Sequence, residues 1–328
     1  MSDHPAEPAP TSRSAALRCS SFARSEGLDP VGSAGSYRGI VLAEIPLPWP
    51  REITGHPALA EAAGALGAAN IRLQGLVPDD HSDRHRRRLI AFTRPAGAFD
   101  RYHGRGWTVA DDLLTRALTA IAISGGEDAD AAVSQPGADA GSNPASVGRH
   151  VLVCTHGARD ACCGTLGTRL SLSLPGLGAG VRVWRTSHTG GHRFAPTALL
   201  LPEGTMWAYL DIDRLVGVSE RTLHVDEAAR LYRGCTGIDG PEVQAAEREA
   251  LRSIGWSWLD HRRRGEVVGS AGGRSLVRLD AEAPDGRRLT FEATVEVARI
   301  VPVPDCGKPP EQAPKSASEL RVTGFAAA

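Results

Sequence analysis

Short apolar runs separated by turn-forming residues dominate the chain and predict alternating strands and helices. Gly39-Ile-Val-Leu-Ala-Glu-Ile45 has the β-branched, nearly unbroken apolar character of a buried strand, and the Pro46-Leu-Pro-Trp-Pro50 stretch stops it. Residues 56–68, rich in alanine and leucine, predict a helix, and residues 71–77 and 88–93 read as further strands. Leu113, Leu114, Ala117, Leu118 and Ile121 recur at helical spacing, which predicts a helix over residues 109–123. From Gly125 to Val147 there is hardly a large apolar residue. Such a segment cannot bury enough surface to offset its chain entropy, so it is expected to be a linker at a domain boundary.

Beyond it, His150-Val-Leu-Val-Cys154 is an apolar run that ends on a cysteine. Residues 160–174 predict a helix and Gly180–Arg185 a strand, while 196–202 and 206–210, split by Glu203-Gly204, carry a hairpin signal. A helix over residues 213–229 follows. This order, β-α-β and then β-β-α, is that of a thioredoxin-like domain, and it puts Cys154 at the carboxyl end of the first strand, where α/β folds hold their sites. Asp239-Gly-Pro-Glu242 reads as a capping box opening a helix that runs to Ser253, with Val243, Ala246, Ala250 and Leu251 inward. Residues 266–268, 275–279 and 289–296 read as antiparallel strands, and no internal repeat of fixed period is visible. The expected fold class is therefore α/β in the broad α+β sense. A disordered leader (1–18) precedes a smaller α/β domain (19–124), a linker (125–148) and a thioredoxin-like domain (149–235). A helix plus β-rich segment (236–306) and a loose tail (307–328) complete the chain.

Charge narrows the functional classes. The formal net charge of -1 offers no global attraction to nucleic acid or to acidic membranes. Lys308 and Lys315 are the only lysines, so the basic side is nearly all arginine. The runs Arg84-His-Arg-Arg-Arg88 and Arg262-Arg-Arg264 read as solvated loops or helix ends. No stretch of eighteen apolar residues predicts a membrane span, and the first ten residues lack the charged start and apolar core of a secretory signal. Six cysteines in a chain of 328 residues without such a signal do not read as a disulfide scaffold. Three of them fall within ten residues, which points to metal or redox chemistry in a reducing compartment, with the cytoplasm expected.

The candidate chemistry sits in two pieces. Cys154-Thr-His-Gly-Ala-Arg-Asp-Ala-Cys-Cys163-Gly is followed after some twenty residues by His188-Thr-Gly-Gly-His192. Thiolates are soft donors and imidazoles borderline, so two of each suit zinc or the iron of an iron–sulfur centre. Gly190 and Gly191 let the backbone turn tightly enough for both imidazoles to reach one centre. Adjacent Cys162 and Cys163 point in different directions, so one is expected to ligate and the other to pack beside it. Cys154-Thr-His156 matches half of a Rieske-type pair, but its second half is missing. Cys19, Cys235 and Cys306 lie far apart and read as structural or free thiols. Gly176-Leu-Gly-Ala-Gly180 precedes a strand instead of following one, so it reads as a turn and not as a dinucleotide fingerprint. No P-loop, HExxH or G-x-S-x-G motif is present.

These motifs, with Leu-Pro202-Glu-Gly204, Cys19-Ser-Ser and Tyr232-Arg-Gly through Pro241-Glu-Val-Gln-Ala-Ala-Glu247, resemble the sucrase/ferredoxin-like family over residues 19–305. The resemblance implies a thioredoxin-like ferredoxin domain that carries a 2Fe–2S cluster on two cysteines and two histidines. Carried onto this chain, it selects Cys154, Cys163, His188 and His192, with Cys162 as the alternative second thiolate. Arg159, Asp160 and Arg193 flank the ligand loops as candidate tuning or docking groups. Trp184 is expected to pack beneath the site. Electron transfer or redox sensing with an unidentified protein partner is the expected function, with a zinc-stabilised or thiol-redox protein as the alternative. The chain lacks the C-x-x-C of a thiol-redox helix start. No spaced carboxylate pair supports the glycoside chemistry in the family's name.

Overall fold

A computed structural model describes residues 17–80, 82–124 and 148–328. Most of the expected leader (1–16) and linker (125–147) lie outside the described residues. The rest is α+β, with seven α-helices, a nine-stranded mixed sheet and a separate four-stranded antiparallel sheet.

Helix α1 (Cys19–Ser25) precedes β1 (Gly39–Glu44), α2 (Pro57–Ala68) and β2 (Ile71–Leu76), with β1 and β2 parallel. Strands β3 (Arg86–Thr93) and β4 (His103–Ala110) then add antiparallel on the other side of β1, and α3 (Leu114–Ser124) closes the group. The second group repeats this plan. Strand β5 (Arg149–Cys154), a helical stretch ending in α4 (Thr168–Ser173) and β6 (Val181–Thr186) form a parallel β-α-β. Antiparallel β7 (Ala198–Leu201) and β8 (Thr205–Trp207) lie on the far side of β5, before α5 (Ile212–Glu220). The sheet order β4-β3-β1-β2-β6-β5-β7-β8-β9 therefore contains one four-strand arrangement twice. The copies join tail to tail where β2 and β6 pair antiparallel at Leu76 and Thr186. The repeat is invisible in the sequence because the connecting loops differ in length and no residue pattern is shared.

Strand β1 is buried along its whole length because both of its faces are covered, which explains its unbroken apolar run. Val41 and Ala43 pack with α2 and α3, and Ile40 and Leu42 join the main core, which extends through β5 and β7.

Several expected elements differ. The helix expected over 213–229 is two, α5 and α6 (Val225–Leu231). Arg221 takes a left-handed conformation at the end of α5, and the His224 side chain accepts the Asp226 N–H to start α6. Strand β9 (Tyr232–Cys235) follows on the edge of the main sheet. The expected Asp239 cap does not form: Gly240 holds the N-cap of α7 (Pro241–Ile254), and Asp239 pairs with Arg94 at 2.9 Å. Strand β4 escaped notice because only Trp107 and Val109 of its eight residues are buried. The C-terminal sheet runs β10 (Arg262–Ala271), β11 (Arg274–Glu282), β12 (Arg288–Pro302), β13 (Ser316–Ala327). The supposed loose tail is thus largely an edge strand, paired along β12 and anchored by buried Leu320. Among the described residues no helix is long and apolar enough to cross a membrane.

His150, at the start of β5, is buried and stacked on Trp184, whose indole N–H donates to its Nδ1 at 2.8 Å. Trp184 is therefore bound to this histidine and not to the cysteines. Burial, followed by the charges of Arg182 and Arg88, pushes the His150 pKa down to about 4. The unfolded chain titrates this group near pH 6.5, so between those values the unfolded state binds more protons and stability falls as pH falls. The expected loss is on the order of 3 kcal/mol from pH 7 to pH 4. Urea midpoints measured across that range check it, and His150→Gln flattens the dependence.

Candidate metal centre

Cys154 ends β5, and the chain turns through residues 155–160 into a helix whose Cys163–Gly167 portion is a π-turn. Such insertions often mark functional sites, because they turn a side chain out of the regular helical register. Glycine decides how closely this helix sits. A Cβ on Gly167 would lie 1.9 Å from the Cys154 carbonyl oxygen, and one on Gly164 would lie 2.5 Å from the Gly157 Cα. Only bare backbone at these positions brings Cys163 beside Cys154.

The histidines follow β6. Gly190 and Gly191 have φ of +90° and +67°, the left-handed region that glycine enters without steric cost. The buried guanidinium of Arg233 donates to Gly190 O at 3.0 Å and Ser33 O at 2.7 Å, and a Cβ on Gly191 would lie 2.6 Å from it. Burial lowers the Arg233 pKa to about 10, still charged at neutral pH. The first copy of the fold, whose sequence showed no chemistry, braces His188. The Gly75 N–H donates to Ser187 Oγ at 2.9 Å, and Ser187 Oγ donates to Gln74 Oε1 at 2.8 Å. Gln74 Nε2 and Arg72 both donate to the His188 carbonyl. The His156 ring accepts the His188 N–H at Nδ1 (3.2 Å) and donates from Nε2 to Pro50 O (2.9 Å). Burial lowers the His156 pKa, which favours the neutral ring that this pair of bonds requires.

The donor atoms of Cys154, Cys163 and His188 lie within 4.8 Å of one another, with Cys154 Sγ 3.8 Å from His188 Nδ1. The Cys163 thiol holds the Cys154 thiol well below its usual range, with His188 assisting against the cost of burial. The same contact, together with burial, pushes Cys163 well above its range. The pair therefore shares one proton and one negative charge, and a bound metal ion displaces that proton. His192 stands slightly apart, its ring centroid 5.9 Å from that of His188. Its Nδ1 is 3.3 Å from Asp160 Oδ2 and 3.3 Å from Cys19 Sγ, and its Nε2 is 3.9 Å from Asp305. Burial opposes ionisation of Asp160, but His192 and the Cys162 N–H prevail and hold its carboxyl well below the usual range.

The family model described as sucrase/ferredoxin-like matches residues 30–234, well over half of the 328-residue chain. The chain belongs to the sucrase/ferredoxin-like family. The match spans both copies of the fold and includes Cys154, Cys163, His188 and His192, and it is shorter than the 19–305 resemblance seen in the sequence. No curated protein and no solved structure matches the chain.

Two features of this sucrase/ferredoxin-like chain fall outside the matched residues, and the sequence did not connect them. Cys19 and Cys306, read separately as isolated thiols, meet Cys162. Cys306 Sγ lies 3.1 Å from Cys162 Sγ and 3.5 Å from Cys19 Sγ, so Cys162 faces away from Cys154 and into a second cluster. Their remoteness in sequence left no spacing to read. Cys235 does remain alone, buried with its thiol toward Glu203 O, and burial raises its pKa to about 12. The flanking arginines face elsewhere: Arg159 pairs with Glu52 at 3.4 Å, and Arg193 stacks 4.2 Å from the Phe194 ring centre. Asp160 alone of the three flanking residues touches a candidate ligand, His192. The basic runs are partly consumed by structure, since Arg88 pairs with buried Glu44 and Arg263 with buried Glu247.

The residues fit an iron–sulfur or zinc centre on donor chemistry. Two buried thiols and an imidazole converge where only soft or borderline metals match them, with a second imidazole four residues on.

Proposed function

We propose that this protein is a 2Fe–2S electron-transfer or redox-sensing protein whose cluster would be held by Cys154, Cys163, His188 and His192. The observation that carries the reading is the convergence of Cys154, Cys163 and His188, with His192 on the same glycine turn. When bound, such a centre supplies one-electron chemistry, at a higher potential than an all-cysteine cluster because neutral imidazoles replace two thiolates. The chain's own residues set the rest. Asp160 fixes the His192 ring by accepting at Nδ1, the device by which carboxylates orient metal-binding imidazoles. His156 and Gln74 hold the His188 backbone, so that imidazole has little freedom to swing away.

Access differs between the two sides. Cys154 and Cys163 are buried, whereas His188 is half-exposed and lines a cavity of about 280 Å³ with His156, Tyr37, Arg51 and Arg72. A redox partner protein would approach on this histidine side, where a proposed ligand reaches the surface. All six cysteines are free, which suits a cytoplasmic setting. Protein purified without air should be coloured and contain about two irons and two acid-labile sulfides per chain. A colourless protein with zinc on Cys154, Cys163 and His188 would sink this reading in favour of a zinc-stabilised domain.

A further inference from the structure

Cys19, Asp160, Cys162 and Cys306 place four donor atoms within 4.8 Å of one another, and none of the three cysteines belongs to the proposed cluster. They come from three remote places: the start of α1, the loop and helix after β5, and the segment between β12 and β13. We propose that these four residues form a second, mononuclear zinc-type site that clamps α1 and the connection between β12 and β13 onto the loop carrying Asp160.

The donor set and its compactness carry this. Three thiols and a carboxylate suit tetrahedral zinc, whose sulfur ligands stand about 3.8 Å apart when each Zn–S bond is about 2.3 Å. The contacts here, 3.1 Å for Cys162–Cys306 and 3.5 Å for Cys19–Cys306, need to open by only a few tenths of an ångström. Geometry also gathers the donors around Asp160: its carboxylate lies 3.4 Å from Cys19 Sγ and 3.4 Å from Cys306 Sγ, and Ser20 Oγ lies 3.2 Å from Cys162 Sγ. Cys306 is the half-exposed member and provides the way in.

A structural reason for the site is plain. Helix α1 has only seven residues and no side-chain cap, and residues 303–315 form a largely irregular connection. Neither can hold its place by regular backbone bonding alone, and a metal ion contributes folding free energy where it joins remote segments. The site also touches the first centre, because Asp160 serves both: it would ligate the second metal and accept from His192 Nδ1.

Metal analysis of the full chain tests the proposal. Wild type isolated without air, from cells supplied with iron and zinc, should carry about one zinc per chain in this site. Cys306→Ser and Cys19→Ser should each lose that zinc while keeping the iron and the visible spectrum, and Cys235→Ser should keep both. If Cys154, Cys163 and His188 prove to bind zinc instead of iron, wild type should hold two zincs and the two variants one, so the readings fail separately. As a second measurement that leaves Cys19, Cys162 and Cys306 in place, cobalt(II) is added to metal-free Cys154→Ser, which lacks the first centre's thiolate, with thiolate-to-cobalt charge-transfer absorption expected. Zinc unaffected in both variants, no such absorption, or a Cys162–Cys306 disulfide seen as two missing thiols would overturn the site.

Discussion

Cys154→Ser should strip the protein of iron and visible colour while leaving it folded. The serine hydroxyl is isosteric enough to occupy the end of β5, but it is not ionised at neutral pH and is a hard donor. The shared negative charge of the Cys154–Cys163 pair goes with it, because Cys163 without its partner is a buried neutral thiol. Removing groups that merely orient a metal ligand costs about 10–100-fold in affinity, so removal of the thiolate itself should exceed 100-fold. Iron content and circular dichroism of the same sample check both halves. Cys162→Ser makes the contrast: its sulfur faces Cys306 and Cys19, so iron should stay. Iron lost in Cys162→Ser but retained in Cys163→Ser would reassign the second thiolate.

Gly167→Ala is expected to be the most damaging glycine-to-alanine change among the described residues. Its Cβ would lie 1.9 Å from the Cys154 carbonyl oxygen and 3.7 Å from the Thr155 Cα, and both are backbone. No side chain can rotate out of the way, so either the π-turn lifts or the end of β5 shifts. Overpacking of this kind costs about 3 kcal/mol, measurable as a lowered denaturant midpoint. The displacement falls on Cys154 and Cys163 together, so iron affinity should fall along with stability. Gly176→Ala, with nothing within 4 Å of its Cβ, is the control and should change neither.

How much of this was legible in the sequence follows from what each feature depends on. Strands β1, β5 and β7 were readable because burial on both faces leaves uninterrupted apolar runs. Strands β4 and β13 were not, because edge strands bury a few residues and the rest follow solvent. Cys154, Cys162, Cys163, His188 and His192 announced themselves by clustering along the chain. Cys19 and Cys306 could not, since 287 residues separate them and only the folded backbone joins them. Arg233 reads as an ordinary arginine until its guanidinium is found under the Gly190-Gly191 turn. Glycine spacing in Gly157, Gly164 and Gly167 was a usable signal, since three glycines around a helix start imply close backbone approach.

The doubled four-strand arrangement divides labour between its halves. Where the second copy ends its first strand on Cys154, the first copy ends on Glu44, which is buried against Arg88 and Ser82. That half has no donor atom in the proposed cluster, yet through Arg72, Gln74 and Gly75 it grips the loop that presents His188. Inherited changes along β2 can therefore reposition one imidazole without removing any ligand. If the proposed cluster forms, such a chain can drift in redox potential over generations by altering its silent twin, while the four proposed ligands stay as they are.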